Sequence, residues 1–326
     1  MTLLLRQDDV ERLATMELAL DAMAEVFRHE GEGRTGVPER HDMPTGKGWL
    51  RLMPVAVAGM GTFGFKAMHL TKGVGVRYAI WVYELETGAL RGILDARVVT
   101  AMRTAATTGL ATEALANRGN DVTAVIGTGQ EARTHLLAMQ AVRPAPVVRI
   151  FSRSAENRAL FIKEMTEQVD ATLVDCASLR EATEGAGVVV LATKSPTPVF
   201  AAADLEPGMH VNSIGSARTE QHELAPDAFT GFATVVCDSR EHVFAEAGDA
   251  VAALEQGRYA VDRADNLADL VVGRARGRRA PDEITLFKSV GTATQDVALA
   301  TRLLDLATDA GVGQELGGFP EMKAFA

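Results

Sequence analysis

The run Gly127-Thr128-Gly129-Gln130-Glu131-Ala132 has the glycine spacing that seats a dinucleotide pyrophosphate. In such a loop Gly127 makes the tight turn, and Gly129, without a Cβ, lets the backbone approach the phosphates. Ala132 keeps the following helix close to the strand. The amides at the helix N-terminus then face the anion. The next strand of the unit ends Ile150-Phe151-Ser152-Arg153-Ser154, with Arg158 one helical turn farther on. A carboxylate there would accept hydrogen bonds from the adenosine ribose and favour NAD. Cations with two hydroxyls and no acid suit a 2′-phosphate, so this reading prefers NADPH to NADH.

A second group of residues points to a carboxylate. Lys66 lies in the otherwise apolar Phe63-Gly64-Phe65-Lys66-Ala67-Met68, where an ammonium is costly unless an anion pairs with it. Arg103 lies among the small residues Ala101-Met102-Arg103-Thr104-Ala105-Ala106, where a guanidinium can grip a carboxylate bidentately. Arg40, in the irregular stretch before the first long strands, is the third cation. Together with a hydride cofactor they suggest a site for an α-imino or α-amino acid, walled by Met53, Met68 and His69. His69 is also a candidate proton donor, although a structural histidine is the simpler reading. The seven histidines show no metal-ligand spacing, and no nucleophile elbow supports serine hydrolysis, so no metal is expected.

Elements that would position these groups fall into two patterns. From residue 122 strands and helices alternate: apolar strands at 122–126, 147–151, 171–174, 187–192, 209–214 and 233–237, and helices at 130–142 and 155–169. Near-continuous apolar strands between amphipathic helices indicate a doubly wound parallel sheet. The first 120 residues read differently, with a helix at 16–29 and a Gly/Pro/charge-rich stretch at 30–47. Strand-like runs follow at 49–54, 62–70, 78–83 and 90–94, then a long helix at 96–117 and a hinge at 118–121. Farther on come a helix at 264–274 with a solvated basic tail (Arg274, Arg276, Arg278, Arg279), a strand at 283–288 and a returning helix at 292–310. The fold class is therefore α/β. A Rossmann sheet, 119–291, is inserted in a split α+β substrate and dimerisation domain made of 1–118 and 292–326.

The chain has 326 residues, 47% of them apolar and 23% charged, with a formal charge of −10. This excludes a generally basic nucleic-acid binder and makes anionic membrane surfaces poor partners. Cys176 and Cys237 are the two cysteines, so neither a disulfide framework nor a structural zinc site is expected. No stretch reaches the roughly 18 apolar residues that span a bilayer. With the acid-interrupted N-terminus, this leads us to expect a soluble cytoplasmic protein.

With these residues placed, the chain resembles the ornithine cyclodeaminase/μ-crystallin family over nearly its full length. The landmarks are Leu52-Met53-Pro54, Gly64-Phe65-Lys66, Arg103-Thr104-Ala105-Ala106-Thr107, Gly127-Thr128-Gly129, Asn212-Ser213-Ile214-Gly215 and the run from Phe287-Lys288-Ser289-Val290-Gly291 to Asp296. The resemblance implies a homodimer through the split domain, and a substrate carboxylate held by Arg40, Lys66 and Arg103. It also implies Val290 and Gly291 beside the nicotinamide, with Thr107, Thr193, Ile214 and Gly215 among the cofactor contacts. Two departures stand out. Ala217 occupies the place where cyclodeaminases and the related alanine dehydrogenases carry an aspartate for the substrate amine, which points to the μ-crystallin-like ketimine reductases. Glu131 stands where relatives often have glutamine.

The reaction expected is NADPH-dependent reduction of a small carboxylate-bearing imine to an amino acid. Arg103, helped by Lys66 and Arg40, would present the imine carbon to nicotinamide C4, and Lys66 would polarise the imine or deliver a proton. The alternatives are an amino-acid dehydrogenase acting on a 2-oxo acid with ammonia, an ornithine cyclodeaminase, and a non-catalytic cofactor- or ligand-binding protein.

Overall fold

The computed structural model describes residues 2–38, 40–119 and 121–320; for His41 the backbone alone is described. The chain divides into two compact units, one formed by 1–103 with 292–326 and the other by 104–291. The first division falls inside a helix, at 103/104 rather than at the 118/119 junction expected from sequence. Asn120 of the expected hinge lies outside the described residues.

The first unit opens with strand β1 (Leu3–Leu5) and helices α1 (Gln7–Leu13) and α2 (Met16–Gly31). The Thr15 side chain caps α2 by accepting from the Leu18 amide, and the helix buries Ala19, Met23, Val26 and Phe27 along one stripe. Strands β2 (Thr35–Gly36) and β3 (His41–Pro44) follow, inside the stretch expected to be irregular. Three long antiparallel strands come next: β4 (Gly48–Val57), β5 (Thr62–Thr71) and β6 (Gly75–Glu84). β7 (Leu90–Asp95) leads into α3 (Arg97–Leu115).

The second unit takes over within α3. Its sheet is made of β8 (Val122–Ile126), β9 (Val147–Phe151), β10 (Thr172–Asp175), β11 (Val188–Leu191), β12 (His210–Ser213), β13 (Thr234–Cys237), β14 (Asp265–Asn266) and β15 (Thr285–Lys288). The interspersed helices are α4 (Gln130–Val142), α5 (Ala155–Met165), α6 (Leu179–Thr183), α7 (Arg240–Glu246), α8 (Gly248–Glu255) and α9 (Leu267–Val271). All pairings are parallel, in the order β10-β9-β8-β11-β12-β15-β13-β14. Strands β11, β12, β13 and β15 are buried along their whole length, as sheet strands covered on both faces must be. Chain order runs outward from β8 to β10 and then restarts on the other side at β11. The crevice between β8 and β11 is therefore the topological switch point, the usual ligand position in such sheets.

The chain returns to the first unit as α10 (Ala293–Ala310) and the short β16 (Gln314–Glu315). The first sheet has the order β16-β1-β7-β6-β5-β4-β2, with β3 paired to β4. Helix α10 packs against α2 and across β4, β5 and β6, which buries Val297, Leu299, Leu303 and Leu304.

Two local expectations are corrected. The helix expected at 264–274 is only the five residues of α9, and of the basic tail beyond it Arg278 is drawn into the fold, whereas Arg274, Arg276 and Arg279 are exposed as expected. Arg278 donates to the carbonyls of Leu115, Met209 and Glu283, while Arg274 pairs with Asp269 and Arg279 with Glu283.

Candidate active site

The sequence of β5 alternates faces, so Phe63, Phe65, Ala67 and His69 point one way and Lys66 and Met68 the other. Lys66 is on the face that meets α10 and is 1% exposed. Its Nζ donates to Oδ1 of Asp296 at 3.0 Å and lies 5.1 Å from the centre of the Tyr78 ring. Arg103, 5% exposed, reaches the same point from α3. Its Nε donates to that Oδ1 at 2.9 Å, and its Nη1 donates to Oε1 of Gln295 at 2.7 Å. Two cations thus share one oxygen of a fully buried carboxylate on the first turn of α10. These three side chains together carry a formal charge of +1, a setting that favours an anion beside them. An anionic ligand would balance it.

The other expected substrate residues divide by face. Met53 is paired directly with Lys66 across β4 and β5 and is buried. Arg40 immediately precedes the His41–Leu52 pair of β3 and β4, which brings it to the register of Met53. His69 lies on the opposite face from Lys66, paired across the strands with Leu50 and Arg77, away from the cations. Asp296 was not among the expected site residues, although it closes the landmark run that begins at Phe287.

The second unit holds the glycine loop. Gly127 follows β8 with φ +119°, a conformation that L side chains rarely adopt, and a Cβ there would collide with the Ala192 carbonyl just past β11. Gly129 is the N-cap of α4, and open space surrounds the position its Cβ would take. Gln130 and Glu131 begin that helix, and Ala132 is fully buried beneath it. Thr128 donates to the hydroxyl of Ser152, and Ser154 caps α5. Backbone amides, a helix N-terminus and a cradle that only glycine permits fit a dinucleotide at the switch point.

Three buried carboxylates that the sequence reading passed over shape the ends of the strands here. Glu223 accepts from the Thr193 amide and hydroxyl through one oxygen, and from Ser213 Oγ and the Gly215 amide through the other. Its burial pushes its pKa up, opposed first by the charge of Lys288. Asp249 accepts from the Glu223 and Leu224 amides and pairs with the fully buried Lys288 at 3.2 Å. Asp238 accepts from the amides of Val290 and Gly291 and from Ser289 Oγ. The segments expected to contact the cofactor, at Thr193, Ile214, Gly215, Val290 and Gly291, are therefore held from behind. Thr107 is buried, and its hydroxyl has no partner among the described residues.

The profile of the ornithine cyclodeaminase/mu-crystallin family matches residues 1–311. The chain belongs to that family. It is 28% identical to the delta(1)-pyrroline-2-carboxylate reductase of Bacillus cereus, over 96% of this chain and 99% of that one. The Thermococcus litoralis delta(1)-pyrroline-2-carboxylate reductase, solved with NADH and L-proline, superposes with a TM-score of 0.91. It is 30% identical and covers 96% of this chain and 100% of its own. An archaeal alanine dehydrogenase dimer with bound NAD also gives 0.91, with 29% identity over 98% of this chain and 99% of its own. The chain is an enzyme of this family; relatives with these names do not single out the μ-crystallin branch.

These structures overturn the expected preference for NADPH, since the bound nucleotides are NADH and NAD. In this chain one of the two cations that suggested NADPH is already engaged, while Arg153 is exposed. The Arg158 guanidinium is committed to the Asp175 carboxylate through Nε and to the Ser152 carbonyl through Nη1. Its charge is matched within the fold instead of being kept for a 2′-phosphate.

Among the described residues, no group of His, Cys, Asp and Glu could hold a metal, and no helix is long and apolar enough to cross a membrane.

Proposed function

We propose that the chain reduces the C=N bond of a small α-imino acid to an amino acid, with NADH as cofactor. More broadly, it is a nicotinamide-dependent oxidoreductase for a carboxylate-bearing C=N or 2-oxo substrate. The observation that carries this reading is the buried cation pair, Lys66 and Arg103, gathered at one oxygen of Asp296. Arg103 and Lys66, with Arg40 at the edge, would hold the substrate carboxylate, and Met53 would bound it. The glycine loop from Gly127 to Glu131, Ser152 and Ser154 would hold the adenosine and phosphate part of the nucleotide. Thr193, Ile214, Gly215, Val290 and Gly291 would hold the nicotinamide part, with Thr107 nearby in the same unit. The bound nicotinamide supplies a hydride to the imine carbon, and the C=N electron pair moves to nitrogen. Orienting the substrate in this way can supply about 7–11 kcal/mol of the barrier. Lys66 is placed to donate a proton where the imine arrives neutral.

The test compares NADH consumption with a preformed cyclic α-imino acid against pyruvate plus ammonium. Turnover at least about tenfold faster with the imine supports the reading, a 1.4 kcal/mol margin. Faster turnover with pyruvate and ammonium would make it an amino-acid dehydrogenase. Ammonia release from ornithine without net NADH formation would make it a cyclodeaminase, a role for which Ala217 offers no carboxylate.

A homodimer through the first sheet belongs to the same proposal. The face of β4–β6 turned away from α10 carries Leu52, Pro54, Phe63, Phe65, Trp81 and Tyr83, with stacked ring pairs Phe63–Tyr83 and Phe65–Trp81. Leu52 is exposed and the four aromatics are half-buried. So large an apolar face suits a second copy of the chain. Light scattering that gives a single-chain mass would refute it.

A further inference from the structure

Asp296 is fully buried, yet its two oxygens have unlike surroundings. Oδ1 collects Lys66 Nζ and Arg103 Nε, whereas Oδ2 has no hydrogen-bond partner among the described residues. The buried hydroxyls of Thr292, the N-cap of α10, and Thr294, in its first turn, also have none among the described residues. Buried polar atoms in folded chains are almost always paired, so an orphaned carboxylate oxygen calls for a donor from outside the chain. We propose that Asp296 Oδ2 accepts the N–H of the substrate's C=N nitrogen, and that Asp296 thereby selects imines and amines over ketones.

This rests on the reading that the substrate is a carboxylate-bearing C=N compound, and it adds to that reading what recognises the nitrogen. An α-imino acid carries an acceptor carboxylate and, once protonated, a donor nitrogen on the adjacent carbon. Around Asp296 stands the complementary arrangement, with two cationic donors gathered at Oδ1 and an open acceptor at Oδ2. A 2-oxo acid would bring a ketone oxygen toward a carboxylate oxygen, two acceptors facing each other. A site built for a donor rejects an analogue that lacks it, because its own group is left unpaired. The nitrogen enters protonated and keeps its proton while the hydride adds to carbon, so Asp296 accepts a hydrogen bond and no proton crosses to it. Oδ1, shared with both cations, also fixes where they point.

The decisive experiment measures binding by titration calorimetry in the presence of NADH, with L-proline and tetrahydrofuran-2-carboxylate as probes. The two differ in a ring N–H donor against a ring oxygen acceptor. Wild-type protein is expected to bind proline at least about tenfold more tightly than the ether, a margin of 1.4 kcal/mol. In Asp296→Asn the amide oxygen stays toward Lys66 and Arg103, and an N–H₂ group replaces Oδ2. The preference should fall to about one or reverse, while NADH affinity stays within about twofold. Equal binding of both probes by wild type, or a preference retained in Asp296→Asn, overturns the proposal and leaves the reductase reading intact. The wild-type ratio decides this even where the variant does not fold. Binding of neither carboxylate to wild type overturns both.

Discussion

The two units bury acidic residues in opposite ways. In the parallel-sheet unit, both oxygens of Asp238, Glu223 and Asp249 each accept two hydrogen bonds, most of them from backbone amides and hydroxyls. In the first unit, Asp296 meets two cationic side chains at one oxygen and, among the described residues, no donor at the other. The difference separates scaffold from recognition. A carboxylate saturated by the chain's own amides fixes loops, as Asp238 fixes 289–291. One with two cations at one oxygen and a buried acceptor unpartnered among the described residues fits the proposed role of meeting a ligand.

Substitutions that disturb each arrangement should therefore have different readouts. Arg103→Ala should have the largest effect, since it removes charge-assisted contacts worth about 1.5–3 kcal/mol each. A fall of about a thousandfold in kcat/KM is expected in steady-state kinetics, with NADH affinity by fluorescence within about twofold. Equal losses in both would erase the distinction between the units. Asp238→Ala strips the acceptor from four donors and should lower unfolding free energy by at least about 3 kcal/mol in urea titration, weakening NADH binding as well. Gly127→Ala introduces a Cβ against the Ala192 carbonyl in a left-handed conformation, at a cost of about 1–3 kcal/mol. NADH should bind about tenfold or more weakly, and carboxylate probes of the other unit should be unaffected.

The smallest effect concerns pH. Fully buried His210, which bonds to Thr285 and Asn212, has its pKa pushed down to about 3, first by burial and then by the Arg278 charge. Below about 6.5 the unfolded chain takes up a proton that the folded chain refuses, so stability is full above that pH and declines toward 3. The expected slope from this residue is at most about 1.4 kcal/mol per pH unit. A denaturation series from pH 7 to 4 checks it, because His210→Gln should flatten the curve.

Much of this was legible in the sequence where one residue type decides local structure. The alternation from residue 122 onward, the glycine loop and the strand carrying Lys66 all stand where their pattern placed them. The family likeness rested on motifs spread along the chain. Pairings between distant residues were not legible. β1 is three leucines that become a strand because β7 and β16 flank them, and β3 owes its pairing to β4. The five-residue α9 is shorter than expected because β14 takes up Asp265–Asn266 at one end and Gly273, at φ +76°, turns the chain at the other. For the nucleotide, the local run Ser152-Arg153-Ser154 suggested a phosphate pocket. Asp175, on the neighbouring strand and 17 residues past Arg158, cancelled that cation. His69 was close to Lys66 in number and on the other side of the sheet in space.

The path of a single hydrogen decides whether this protein reduces a C=N bond. Turnover of a cyclic α-imino acid with NADH deuterated at C4 on the transferred face should give an amino acid with one deuterium at Cα for each nucleotide oxidised, read by mass spectrometry. Unlabelled amino acid, or nucleotide oxidised without label reaching that carbon, would contradict hydride delivery to a C=N bond as the work of this protein.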